Sequence, residues 1–161
     1  MSEARVRRTT LVLAAAGGSA ALLAAALVSQ YGFGLYPCAL CLWQRWPHGA
    51  AIAIGLLALV LPGRILPLLG ALAALATAGI GGFHAGVEQG WWDGLASCAG
   101  GPGIIGLTPE ALLDPTIPVA SAPRCDEIAF QVAGLSMAAW NMILSAGLAA
   151  LWLMAARARP A

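Results

Sequence analysis

The chain has 161 residues, of which 60% are hydrophobic and only 9% are charged, and its net charge is +1. An average soluble domain carries about 25% charged residues, so the composition excludes an ordinary water-soluble domain and indicates a membrane protein. The sequence contains no lysine, and its arginines form no single basic face, which argues against a nucleic-acid-binding protein.

Four apolar segments approach or reach the length of about 20 residues that a helix needs to cross a bilayer. They cover residues 11–30, 43–61, 65–85 and 132–156. Their high content of Ala, Leu and Gly permits close packing between helices in lipid. The sequence therefore predicts an all-α membrane protein, a single domain over residues 1–161 that forms a four-helix transmembrane bundle with loops at 31–42 and 86–131.

The placement of arginine predicts the orientation of this bundle. Four spans bring six arginines to one side of the membrane, namely Arg5, Arg7, Arg8, Arg64, Arg157 and Arg159. An excess of arginine marks the cytoplasmic side, so we expect both termini there and both loops outside. The alternative is a cleaved signal peptide at residues 1–30, but its apolar run is long for a signal.

The predicted loop 86–131 is the longest stretch outside the membrane. Residues 108–114 are expected to form a short surface helix, with Thr108 as the N-cap and Pro109 at the first helical position. Long loops with little structure of their own are usually functional, and this one contains Cys98 and Cys125.

The first predicted loop ends in a Cys-x-x-Cys motif, formed by Cys38 and Cys41, and Arg45 follows. A helix N-terminus and a nearby cation both stabilise a thiolate. In a helix, these three side chains share one face. A ring this small gains little loop-closure stabilisation, so the motif favours a reactive pair over a structural one.

All four cysteines are predicted on the outer side, and four cysteines allow three pairings. In the local pairing, Cys38 pairs with Cys41 and Cys98 with Cys125, and two such pairs on one face could exchange disulfides in a relay. A lipid-soluble acceptor beside Cys41 and Arg45 is the natural destination for the electrons. A four-cysteine zinc site is a weaker alternative, because an oxidising compartment favours disulfides.

Two rival functions compete with a relay. The first is that of a membrane protein with static disulfides and a role in assembly or transport. The second is that of a reductase that carries electrons outward, against which the cytoplasmic side offers no cysteine.

Polar residues in the predicted spans require their own explanations. His84 and Glu88 lie four residues apart and share a helix face. They could meet headgroups and water at the end of the third span, or deliver protons to a redox site. Asn141 in the fourth span is expected to form a hydrogen bond between helices.

Several segments together are similar to one known family. They are residues 37–41 with 43–45, residues 84–88, Cys98, residues 124–127 and residues 134–138. These motifs and the four spans resemble the DsbB family, bacterial inner-membrane thiol:quinone oxidoreductases, and the likeness covers nearly the whole chain. Cys98 lies closer to the third span than in the best-known members.

The resemblance implies a redox relay. Its partner would be a DsbA-like periplasmic protein of thioredoxin fold, which attacks a Cys98–Cys125 disulfide and becomes linked to Cys98. Cys125 would then attack Cys38, and Cys41 would leave as a thiolate that reduces a bound quinone, either ubiquinone or menaquinone.

The resemblance also implies the remaining features of the site and its location. Arg45 would stabilise the Cys41 thiolate and bind a quinone carbonyl, while His84 and Glu88 would line the quinone region. The protein would lie in the bacterial inner membrane in contact with lipid and quinone, with cytoplasmic termini and periplasmic cysteines.

Overall fold

The computed structural model describes residues 3–98 and 123–158. In these residues it contains four long helices, α1 (Glu3–Phe33), α2 (Ala39–Val60), α3 (Ile65–Glu88) and α4 (Met137–Arg157). A 3₁₀ turn covers Ala96–Cys98, and a small antiparallel hairpin joins β1 (Gln131–Val132) to β2 (Leu135–Ser136). The predicted all-α fold with four helices is confirmed, whereas the helix expected at 108–114 lies outside the described residues.

The helices pack as a four-membered ring, in which α1 and α3 each contact both α2 and α4. The core is built mostly from small residues around one large ring. Its buried members are Val12, Ala15, Ala58, Ala71, Ala74, Ala149, Trp152 and Ala155. Small side chains allow close helix approach in an apolar environment, and the fully buried Trp152 fills the space between the helices.

Three of the described helices are long and apolar enough to cross a membrane by length and composition, namely α1 from Arg5 onward, α3 and α4. Helix α2 has 22 residues, but Gln44, Arg45 and His48 make its first half more polar. Gln44 and His48 are buried inside the bundle. Polar side chains in membrane helices generally face the bundle interior, so these residues are compatible with a spanning helix.

Helix α2 begins at Ala39, four residues before the predicted start at 43. The helix continues through Pro47, although proline lacks the N–H of an interior helical residue. Cys38 is the N-cap, and its Sγ accepts a hydrogen bond from the backbone N–H of Cys41 at 3.3 Å. The redox motif therefore belongs to the first turn of the helix, which fixes the spacing of its two sulfurs.

The fourth predicted segment, 132–156, also differs from the structure at its start. Its first residues form the hairpin, because Ala133 and Gly134 adopt positive φ angles of 50° and 79°, as the two central residues of a tight hairpin turn do. Ser136 then caps α4, since its Oγ accepts a hydrogen bond from the N–H of Ala139 at 3.2 Å. The apolar pattern alone did not distinguish the hairpin from the helix.

Arg8 connects α1 to the opposite end of the bundle from the cysteines. Its guanidinium donates hydrogen bonds to the carbonyl oxygens of Ala58, Leu61 and Gly63, at 3.0, 3.3 and 3.2 Å. These carbonyls lie at the C-terminal end of α2 and in the turn to α3. A cation there satisfies carbonyl groups that the helix leaves unpaired.

Gly70 on α3 is required for close packing against Trp152. A Cβ atom at Gly70 would lie 2.6 Å from the indole ring, whereas a Cβ at Gly79 on the same helix would meet no atom within 4 Å. We expect Gly70→Ala to lower the free energy of unfolding by about 1–3 kcal/mol through overpacking. Denaturant titration in mixed micelles measures this effect, with Gly79→Ala as the control, and equal stabilities of the two variants would contradict it.

Candidate redox site

The structure brings the four cysteines together at one end of the bundle. Cys98 and Cys125 form a disulfide, while Cys38 and Cys41 are free thiols whose Sγ atoms lie 3.1 Å apart. Cys38, Cys98 and Cys125 are buried in a small apolar cluster with Leu40 and Val87. The structure therefore has the Cys98–Cys125 disulfide of the local pairing, while Cys38 and Cys41 are in the reduced form.

The closed bridge and the open pair are neighbours. The Sγ atoms of Cys125 and Cys38 and a ring nitrogen of His84 all lie within 4.8 Å of one another. The backbone N–H of Cys125 also donates to the carbonyl of Cys98 at 3.3 Å, which holds the segment at 123–125 against the 3₁₀ turn. Disulfide exchange requires a thiolate to reach a disulfide sulfur. The Sγ atoms of Cys38 and Cys125 are close enough that only a small movement would bring them into contact.

Cys38 has the environment of a reactive thiolate. As N-cap it lies at the positive end of α2, and the Nε2 atom of His84 is 3.5 Å from its Sγ. The hydrogen bond with the Cys41 thiol is the largest cause that lowers the pKa of Cys38, and His84 lowers it further against the opposing effect of burial. Of the two thiols, Cys38 is therefore the one whose thiolate is favoured.

His84 and Glu88 are both buried, with side chains only 4% and 6% exposed. His84 Nε2 lies 3.8 Å from Glu88 Oε1, and the hydroxyl of Ser136 donates to Glu88 Oε2. Within the described part of the chain, these two side chains therefore face the bundle interior rather than its surface. They connect α3 to Cys38 and to the start of α4.

Arg45 lies in the second turn of α2 and contacts Gln30 on α1. Its Nη1 donates to Oε1 of Gln30 on α1 at 2.6 Å, whereas among the described residues the hydrogen-bonding partner of the Cys41 thiol is Cys38. The Nε atom of Arg45 is buried and has no partner within the described part of the chain. Arg45 thus lies one helical turn from Cys41, and its buried Nε–H is available as a donor.

Gln44 connects His84 to Asn141 below the cysteines, and this role of Gln44 was not predicted from the sequence. Gln44 contacts His84, since its Nε2 is 3.0 Å from Nδ1, and Asn141 Nδ2 donates to Gln44 Oε1 at 2.7 Å. The predicted interhelical role of Asn141 is confirmed. The signal for Gln44 was its place on the buried stripe of α2, one turn after Leu40 and one before His48.

The fold and the site together define a membrane protein that carries two adjacent cysteine pairs. A family model described as disulfide bond formation protein DsbB matches residues 7–155. The chain belongs to the DsbB family, and it is a disulfide-forming oxidoreductase with a role in disulfide bond formation.

Individual relatives agree with this assignment. Disulfide bond formation protein B of Xanthomonas oryzae pv. oryzae (strain MAFF 311018) is 32% identical, over 81% of this chain and 79% of its own length. The protein of the same name from Methylococcus capsulatus is 34% identical, over 81% of this chain and 82% of its own. An uncharacterized Rickettsia prowazekii protein is 26% identical, over 74% and 71%. No solved structure matches the chain significantly.

Proposed function

We propose that the protein reoxidises a periplasmic dithiol protein of the DsbA type and passes the two electrons to a membrane quinone. The observation that carries this proposal is the position of the Cys125 sulfur beside the Cys38 sulfur, within 4.8 Å. Two static bridges would not need to meet, whereas a relay requires contact between its pairs. The open Cys38–Cys41 pair also argues against purely structural disulfides.

The relay proceeds by balanced exchange steps. A thiolate of the reduced partner attacks Cys98, forms a mixed disulfide, and releases Cys125 as a thiolate. With the Cys38–Cys41 disulfide present, Cys125 attacks Cys38 and releases Cys41. The second partner thiol then attacks the mixed disulfide at the partner's own sulfur, so the partner leaves oxidised and frees Cys98. Cys98 closes on Cys125, which leaves Cys38 and Cys41 as the dithiol seen in the structure.

The residues around Cys41 fit a quinone. When bound, a quinone supplies an acceptor for two electrons and two protons, which returns Cys38 and Cys41 to the disulfide. The unpartnered Nε–H of Arg45 is a buried donor for a carbonyl oxygen. Gln30 holds the guanidinium from α1, so the donor is fixed in direction before any ligand arrives. The acceptor would be either ubiquinone or menaquinone, and the assay described below distinguishes the two.

The proposed location follows from the two chemically different ends of the bundle. One end holds Arg8 and the turn from α2 to α3, and the other holds the four cysteines. An excess of arginine marks the cytoplasmic face of a membrane protein. We infer that the protein lies in the bacterial inner membrane with its termini in the cytoplasm and its cysteines in the periplasm.

Anaerobic mixing tests the proposed function. Purified protein, a reduced DsbA-type partner and ubiquinone or menaquinone are combined, and quinol formation is followed by absorbance. We expect quinol and oxidised partner in equal amounts. Protein that forms no quinol with either quinone, with its disulfides inert to the partner, would instead support the static role.

A further inference from the structure

A chain of hydrogen-bonded side chains leads from Cys38 into the middle of the bundle. It links residues of three helices, and its members are Gln44, His48, Thr77, His84, Asn141 and Ser145. Buried polar groups are costly unless they are paired, and this chain pairs its amides almost completely. The geometry of these hydrogen bonds also determines which nitrogen and oxygen atoms act as donors and which act as acceptors.

Two backbone carbonyls fix the orientation of the two amide side chains. Gln44 Nε2 lies 3.2 Å from the carbonyl oxygen of Leu40, and Asn141 Nδ2 lies 3.3 Å from that of Thr77. A carbonyl oxygen can only accept a hydrogen bond. The amino group of each amide must therefore face its carbonyl, and the amide oxygen must point the other way.

The amide orientations in turn fix the proton on His84. Gln44 Oε1 accepts from Asn141 at 2.7 Å, so Gln44 Nε2 is the atom 3.0 Å from His84 Nδ1. An amino group donates, and Nδ1 must therefore be the unprotonated nitrogen. A neutral imidazole then carries its hydrogen on Nε2, the atom that lies 3.5 Å from Cys38 Sγ.

We propose that Gln44, itself held by Asn141, is a positioning residue that keeps His84 in the Nε2–H tautomer, so that His84 donates a hydrogen bond to the Cys38 sulfur. The inference rests on the proposed function only for its catalytic meaning, since the tautomer exists in the reduced protein without a quinone or a partner. A donor at this point stabilises the Cys38 thiolate. A bare Nε2 could instead only accept a hydrogen bond from the thiol, which favours the protonated form of the sulfur.

Other groups also surround the imidazole. The Cys125 sulfur lies within 4.8 Å of a ring nitrogen, but its disulfide with Cys98 keeps it from titrating. Glu88 Oε1 lies 3.8 Å from Nε2 on α3 itself and is also held by Ser136 at the start of α4. Cys41 contacts Cys38 on the α2 side, whereas Arg45 is turned toward α1. Glu88 is an acceptor when ionised, so it also favours a hydrogen on Nε2.

Nitrogen-15 NMR of the reduced full-length protein in micelles tests the tautomer directly. The sequence has only two histidines, and a His48→Gln variant assigns the remaining imidazole to His84. We expect a bare, pyridine-type signal for His84 Nδ1 and a protonated, pyrrole-type signal for Nε2. A protonated Nδ1 in the unaltered protein would overturn the proposal.

Two substitutions of Gln44 extend the test. Gln44→Glu is nearly isosteric and places only acceptors against Nδ1, so we expect the Nδ1 signal to become pyrrole-type. Gln44→Leu removes the donor, and we expect alkylation of Cys38 at a fixed acidic pH to slow roughly tenfold, because hydrogen bonds to charged groups have about this effect. Site-resolved mass spectrometry distinguishes Cys38 from Cys41.

Ser145→Ala is the matched control. Ser145 donates to the oxygen of Asn141 at 3.2 Å, but no hydrogen bond joins it to Gln44 or His84, so we expect the NMR signals and the alkylation rate to stay unchanged. If Gln44→Glu leaves Nδ1 bare, or if both Gln44 variants alkylate like the control, the positioning role is refuted. These readouts need no quinone, so failure of the relay itself would appear separately in the quinol assay.

Discussion

The Cys41→Ser variant is expected to lose quinone reduction completely while retaining exchange with the partner protein. A serine hydroxyl cannot take part in disulfide exchange, so Cys38 can no longer close a bridge in the first turn of α2. The Cys98–Cys125 disulfide is unaltered by this change, so the first exchange step with the partner is retained. Quinol formation measured by absorbance should fall to the background, while a mixed disulfide with the partner still forms on a non-reducing gel.

The matched comparison for this variant is Cys98→Ser. That protein should fail at the earlier step, because the partner has no disulfide to attack, yet its Cys38 and Cys41 should still reduce quinone once they are chemically reduced. Quinol formation at the normal rate by the Cys41→Ser variant would refute the role of Cys41.

Arg45→Ala is expected to raise the apparent Michaelis constant for quinone about tenfold to a hundredfold. The reason is the loss of the buried Nε–H donor, because a hydrogen bond from a charged group contributes about 1.5–3 kcal/mol. Initial rates over a range of quinone concentrations measure this change, and the maximal rate should fall less than the Michaelis constant rises.

Two controls separate binding from folding in this experiment. Arg64→Ala removes an exposed arginine at the other end of α2, in the turn before α3, and should leave quinone kinetics unchanged. Gln30→Ala removes the hydrogen bond that holds the guanidinium and should produce a smaller rise in the same constant. An unchanged Michaelis constant in Arg45→Ala would remove Arg45 from the quinone site.

The helices were largely predictable because an apolar segment of about 20 residues has few alternatives in lipid. Their ends were less predictable, because local chemistry determines them. The hairpin before Met137 depends on two positive φ angles at Ala133 and Gly134, and alanine gives no signal for such a conformation. The start of α2 depends on a cysteine acting as N-cap, a residue type that is not a usual cap.

The candidate site was likewise predictable only in part. The Cys98–Cys125 pairing agrees with what the family resemblance implies, whereas the contact between Cys38 and His84 was not predicted. The contact of Arg45 with Gln30 could not be inferred from spacing along one helix, since it depends on how α1 packs against α2. The role of Gln44 was hidden for the same reason, because its partners come from α3 and α4.

The central claim is that Cys125 and Cys38 exchange a disulfide directly, and a double variant tests it. Cys41→Ser with Cys98→Ser leaves only these two cysteines, and mild oxidation followed by peptide mapping detects a bond between them. We predict rapid formation of a Cys38–Cys125 disulfide within one chain, much faster than a Cys41–Cys125 bond in the companion variant that carries Cys38→Ser and Cys98→Ser. Two thiols that stay free, or that bridge only between different chains, would contradict the relay.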